Sequence, residues 1–263
     1  KSATPADISL VAPYLHLDKP LWWQYGYFLP QLVIHGSLGR SFVNRESVDS
    51  IIGRDAPVTA SVVFGGAVFW LSLSIPVGIL SALRPRSLMD RLTMTFVLIG
   101  ISAHPVWIGL ILSYTFGYRL HLTPIAGYCN FFPGTEGAQC SGPVNWAYHL
   151  ILPWITFMIL FAALYVRLVR ANVMETMSED YVRTARAKGA SQSRVMVQHV
   201  LRNSMLPVVT ILGMDLGLAL GGAIFTETIF NLPGLGQEVI KAYNFNDLPM
   251  ITGLVTFATI FVI

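Results

Sequence analysis

The chain of 263 residues is 54% hydrophobic and only 12% charged, with a mean hydropathy of +0.59. That balance excludes an ordinary soluble domain and points to an integral membrane protein. The formal charge of +3 is small, and basic residues do not interleave with aromatics as a nucleic-acid surface would require.

Residues 1–58 are mixed in character, with Trp22, Trp23, Tyr25, Tyr27 and Phe28 gathered before Pro30. Such aromatics favour a membrane interface. The stretch Ser47 to Ile52 predicts a short amphipathic helix ending at Gly53, after which Pro57 opens a first span near its first turn. A spanning helix needs about 20 apolar residues. Five runs meet or approach this: Ala56 to Leu83, Leu92 to Tyr118, Tyr148 to Val166, Ser204 to Thr226 interrupted only by Asp215, and Leu248 to Ile263. His104-Pro105 falls inside the second run, where proline removes a backbone hydrogen bond and kinks the helix. His104 has no second ligand three or four residues away, so it reads as a packing or hydrogen-bond residue ahead of a metal ligand.

Lys and Arg concentrate in cytosolic loops. Arg84, Arg86 and Arg91 lie between spans one and two, and Arg167, Arg170, Arg183, Arg186, Lys188, Arg194 and Arg202 between spans three and four. Both loops therefore face the cytosol, and Lys1 to Asp55 the outside, where a preceding span is expected to have carried them. Cys129 and Cys140 fall in the external loop after span two, a compartment that permits disulfides. A bridge is the preferred reading and two unpaired thiols the alternative; neither Cys has a His or second Cys at metal-ligand spacing.

Span three is expected to continue through Val173 and Met177, with Ser178 as the N-cap of a new helix. Glu179 and Asp180 then sit where the helix dipole favours negative charge, and Gly189 suits a left-handed stop. The helix between, of about three turns, is too short to be stable alone in water and needs a partner surface. Ala185 and Gly189 share a face that leaves a small-residue patch, with Tyr181 as an anchor on the same stripe. On spacing alone, a groove in another protein and an anionic lipid surface touched by Arg183, Arg186 and Lys188 fit equally. Ser191 or Ser193 caps a second helix from Val195 to Leu201, with Pro207 near the entry to span four. Gly213, Gly217 and Gly221 recur every four residues, which permits close packing within this subunit or against a second one. Asp215 lies near mid-span, where a carboxylate faces a cavity or a partner; a functional role and a hydrogen-bonded packing role are equally open.

The run Asp180-Tyr181-Val182-Arg183-Thr184-Ala185-Arg186-Ala187-Lys188-Gly189, followed by Leu201-Arg202-Asn203 and Pro207, resembles the ATPase-gripping loop of binding-protein-dependent ABC importer permeases. The variant is that of the dipeptide, oligopeptide and nickel group, in its B-type subunit. Arg183 stands where the general loop carries a carboxylate, and Arg202 where a proline closes it; both departures are typical of the peptide group. The resemblance implies an all-α transmembrane domain of the type I importer kind, with five of six spans present and the first preceding residue 1. Residues 1–58 become an external region and 59–263 the permease domain, with 167–202 as coupling loop.

The same resemblance assigns Asp180, Tyr181, Arg183, Thr184, Ala185, Arg186, Lys188 and Gly189 to ATPase contact. It places Glu227, Phe230 and Pro233-Gly234-Leu235-Gly236 at an external gate or receptor-facing rim, a helix end held by a tight turn being the alternative. It implies a second homologous permease in a heterodimer, two cytosolic ATPase domains and an external substrate-binding protein, all at a bacterial inner membrane. No G-x-x-x-x-G-K-[ST], H-E-x-x-H or G-x-S-x-G motif occurs. No catalytic residue, metal or cofactor is therefore expected on this chain, and ATP with its magnesium belongs on the partners. A competing class, a secondary transporter or channel using Asp215 as an ion or proton site, predicts inverted repeats; none is found. Dipeptides, oligopeptides, nickel chelates and haem-like cargo all remain open as substrate.

Overall fold

The computed structural model describes residues 19–20, 22–23, 26, 30, 37–132, 140–220 and 223–262, and every regular element among them is helical. Tyr25, Tyr27, Phe28, Gly221 and Ile263 lie outside the described residues.

Helix α1 runs unbroken from Val48 to Leu83, capped by Ser47, whose hydroxyl accepts the Ser50 N–H. No separate helix ends at Gly53, and Pro57 lies well inside α1 instead of opening it. Burial of Ile51, Ile52 and Val58 on either side outweighs the roughly 1 kcal/mol that a helical glycine costs. The expected second span is two helices, α2 (Leu88–Ser102) and α3 (Pro105–Leu112), the latter extended by a π-turn over Ser113–Arg119. They meet at 102°. Pro105 restricts His104 to an extended conformation, and His104 then caps the new helix, its Nδ1 accepting from the Val106 N–H at 3.3 Å. This is a break in the helix where the sequence suggests only a kink.

Helix α4 (Pro143–Ser178) passes through Val173 and Met177 without interruption, and α5 (Asp180–Ala187) follows at once. A helical run of 29 residues, Gln192–Leu220, comes next; it contains a π-turn over Val195–Leu201 and ends in α6 (Leu206–Leu220). Three short helices follow among the described residues: α7 (Ile224–Ile229), α8 (Leu235–Asn244) and α9 (Leu248–Val262). Among the described residues, α1, α4 and the run ending in α6 are long and apolar enough to cross a bilayer, and the α2–α3 pair adds one bent span. The fifth expected span is the 15-residue α9. The described part of the fourth reaches Leu220, and Thr226 and Glu227 lie in α7.

The core forms where α1 and α4 lie side by side. Gly66 meets Phe157, Trp70 stacks on Phe161 at 4.6 Å and Gly78 meets Val169. The partners advance together along both chains, so the helices are parallel. Gly65 leaves room for the Trp154 indole, which donates to the Ser61 carbonyl at 3.0 Å. On the other side of α4, Gly100 of α2 abuts Ala163.

A Cβ at Gly78 would lie 2.8 Å from Val169 Cβ and 3.0 Å from the Val166 carbonyl oxygen, whereas one at Gly53 meets nothing within 4 Å. Gly78→Ala is therefore expected to destabilise by about 1–3 kcal/mol through overpacking, and Gly53→Ala to be neutral or stabilising by up to about 1 kcal/mol. Thermal unfolding of the purified protein in detergent measures both; the reverse order would contradict the packing described.

Candidate functional site

Helix α5 starts one residue later than its sequence suggests. Ser178 is still part of α4, its hydroxyl donating back to the Glu175 carbonyl at 2.7 Å, a local bond that lets the preceding helix persist. Glu179 is the N-cap, and its carbonyl accepts the N–H groups of Val182 and Arg183 at 3.1 and 3.3 Å. With 8 residues, α5 has about two turns, not three. Gly189 ends the turn that follows at φ +80, a left-handed conformation that suits glycine.

Val182 is fully buried and Ala185 half-buried against the chain's own core, which includes Val195 and Val200 of the following π-turn. Ala185 thus faces inward, and the outward small-residue patch reduces to Gly189, beside which the space is open. Asp180, Tyr181, Arg183, Thr184, Arg186 and Lys188 are exposed. The Tyr181 hydroxyl accepts from Asn203 Nδ2 at 2.8 Å, which ties α5 to the root of the helix bearing Asp215.

At this same end Asp90 joins three helices, a role that the spans and charged loops of the sequence did not suggest. Arg170 of α4 donates to both its oxygens, Nε to Oδ1 at 2.7 Å and Nη2 to Oδ2 at 2.9 Å. The Ser81 hydroxyl of α1 donates to Oδ1, and the Arg86 N–H to Oδ2 at 2.8 Å. Ser87 accepts the Asp90 N–H at 3.2 Å. Ser87-x-x-Asp90 is thus a helix-start pattern of the capping-box type, the one local signal that could have found it.

At the other end Glu227 is completely buried. Its Oε1 accepts from the Thr59 hydroxyl at 2.6 Å, and Oε2 accepts the Gly236 and Gln237 N–H groups at 2.7 and 3.2 Å. The Thr59 hydroxyl oxygen also accepts the Leu235 N–H at 2.9 Å. Thr59 and Glu227 therefore satisfy the first three N–H groups of α8, which have no partner inside the helix. The two glycines of Pro233-Gly234-Leu235-Gly236 follow from this. A side chain at Gly234 would occupy the Glu227 carboxyl group, and one at Gly236 would sit 2.6 Å from Ile224 Cα. In this structure Glu227 holds a helix end; the sequence alone could not supply its partner Thr59, 168 residues away. Nearby, buried Asp247 accepts from the Ser41 hydroxyl at 2.5 Å and the Val43 N–H at 3.3 Å, fastening residues 41–43 to the start of α9.

Asp215 is partly buried on the side of α6 facing α4 and accepts the hydroxyl of fully buried Tyr165 at 2.7 Å. Trp70 lies beside Tyr165, ring centres 6.0 Å apart, and among the described residues its Nε1 and the Ser74 hydroxyl are buried without a partner. Gly217 is buried and Gly213 exposed with open space beside it; the third member of the stripe, Gly221, is not described. Cys129 and Cys140 are joined in a disulfide with Cα atoms 5.1 Å apart. The fold brings His149 Nδ1 to 3.2 Å from Cys129 Sγ, a neighbour that spacing did not reveal. With the sulfurs bonded to each other the three groups are not an open ligand set.

The family model for the binding-protein-dependent transport system inner membrane component matches residues 74–263. The dipeptide transport system permease of Escherichia coli (strain K12) is 36% identical over 254 residues, covering 91% of this chain and 75% of that protein. The di/tripeptide transport system permease of Pseudomonas aeruginosa is 35% identical over 273 residues, with 98% and 81% covered. The glutathione transport system permease of an Escherichia coli O6:H1 strain is 37% identical over 245 residues, with 93% and 74% covered.

Thr59→Val removes an acceptor from the Leu235 N–H and a donor from Glu227. Because both are buried, the expected loss is about 1–3 kcal/mol, with Thr59→Ser recovering most of it. Equal unfolding temperatures for the Val and Ser variants would remove Thr59 from this contact.

Proposed function

This chain belongs to the inner membrane components of binding-protein-dependent transport systems, and from that premise we propose that it is the permease subunit of an ATP-driven peptide importer. It forms half of a translocation pathway that works by alternating access. The peptide assignment is supported by relatives whose names specify dipeptide, di/tripeptide and glutathione transport.

The observation that carries the reading is α5, an amphipathic helix held to the permease on one side by Val182 and Ala185 and presenting charged residues on the other. Two cytosolic ATPases, which bind ATP and magnesium, dock on this helix and its counterpart in a second, homologous permease. Leu206, Val209, Met214 and Leu218 of α6 are exposed apolar residues, an open face on which a second permease can pack. An external binding protein delivers peptide at the opposite end, near α8. The assembly sits in the inner membrane of a bacterium.

Nucleotide shifts the inward–outward equilibrium only by binding one state more tightly than the other, so the linkage must be stiff. Helix α5 meets α4 directly and is tied through Asn203 to the helix carrying Asp215, while Arg170 pins α4 to α1 and α2 through Asp90. Movement of α5 therefore reaches the Asp215–Tyr165 contact between α6 and α4. Asp215 serves there as a joint whose hydrogen bond depends on the transport state.

Gly189→Leu places a side chain in the open space beside α5 and strains a left-handed residue by about 1 kcal/mol or more. Peptide uptake into vesicles should fall while the permease remains folded. Normal uptake would refute the docking role. Asp215→Asn should assemble normally and change the rate of peptide-stimulated ATP hydrolysis; a parental rate would leave Asp215 a packing residue.

A further inference from the structure

We infer that Arg183 and Arg186 form a basic flank on α5 that pairs with carboxylates on the wall of the groove receiving it in the ATPase. The inference rests on the docking role of α5 proposed above and names the chemistry of its acceptor.

Residues three apart share one side of a helix. Val182 and Ala185 take the inner side of α5, which sets Arg183 and Arg186 on an adjoining flank. Both are exposed. The opposite flank carries Tyr181, occupied by Asn203 at 2.8 Å. One flank of α5 is thus fastened to the permease and the other ends in two guanidinium groups. Arg183 reaches Asp180 only at 3.6 Å, with the Arg183 side chain 71% and the Asp180 side chain 97% exposed. So screened a contact contributes little, and a carboxylate better placed across an interface would displace it. From Glu179 to Arg202 the exposed surface carries Arg183, Arg186, Lys188, Arg194 and Arg202 against Glu179 and Asp180. Guanidinium, a planar fork of donors, suits paired carboxylates better than a diffuse counter-charge.

Neither membrane orientation nor lipid contact accounts for this flank as well. Orientation needs cations somewhere in the loop, but not two arginines on one exposed helix flank. An anionic lipid surface would have to reach α5, which hangs from the far end of α4. The 36 residues of α4 extend about 54 Å, against a hydrocarbon core of about 30 Å. Trp146 and Tyr148 in its first two turns mark one interface, leaving most of the excess at the α5 end. Attraction to headgroups fades over about 8 Å at physiological salt.

The test measures binding of this importer's own ATPase subunits to the permease complex, for the parent, Arg183→Gln/Arg186→Gln and Arg183→Glu/Arg186→Glu. Parental affinity should weaken as salt rises from about 0.05 to about 0.5 M, and charge reversal should weaken low-salt binding by about tenfold or more. The Gln pair should fall between, with a flatter salt response. Unfolding temperatures establish that each variant is folded; the Gln pair decides if the reversal is not. A parent that binds no ATPase overturns the docking role itself. Parental affinity and salt response in the folded variants overturn the acidic groove and leave docking standing. A third result also overturns it: unchanged ATPase affinity, with reversal abolishing extra hydrogen-exchange protection of α5 in phosphatidylglycerol bilayers over phosphatidylcholine ones. The flank would then be a lipid contact.

Discussion

The parallel contact between α1 and α4 is the constraint on which the other elements depend. Gly66 and Gly78 let the two helices approach closely, and Trp70 stacked on Phe161 fixes their register between those points. Apolar solvent offers little drive for helices to associate, so close van der Waals fit and small residues do that work in a bilayer. Each helix has 36 residues, and one register therefore determines what meets at both ends.

Both ends are fastened by buried carboxylates. Thr59 and Glu227 bind the start of α8 at one end; Ser81 and Arg170 converge on Asp90 at the other. A buried carboxylate is costly unless its oxygens find donors. Asp90 accepts from one guanidinium, one hydroxyl and a backbone N–H, and Glu227 from a hydroxyl and two backbone N–H groups. Each contact joins segments that cannot separate without leaving charge or donors unpaired, which makes α1, α4 and their attached turns the stiff part of the subunit.

The less embedded elements carry the proposed traffic. α5 presents a hydrated face and α6 an apolar one, consistent with an aqueous partner for the first and a membrane partner for the second. Their connection is short: Val182 packs on the π-turn leading to α6, and Asn203 reaches Tyr181. A π-turn marks an irregularity in helical register of the sort found at functional sites.

The sequence by itself determined the membrane class, the helical content, the family and the position of the short helix α5. Long uncharged runs admit few alternatives in lipid, and the Asp180 to Gly189 pattern is local. It also placed the left-handed turn at Gly189, since a helix stop needs only its neighbours, and favoured the bridge between Cys129 and Cys140, which are 11 positions apart. Only the tertiary structure decided that α1 continues through Gly53 and Pro57, that Pro105 breaks the second span outright, and that Ala185 faces inward. It alone found Thr59 for Glu227 and Arg170 for Asp90. Propensity and spacing describe a segment and its nearest neighbours, whereas these outcomes depend on what a second helix buries against it, and those partners lie 168 and 80 residues away along the chain.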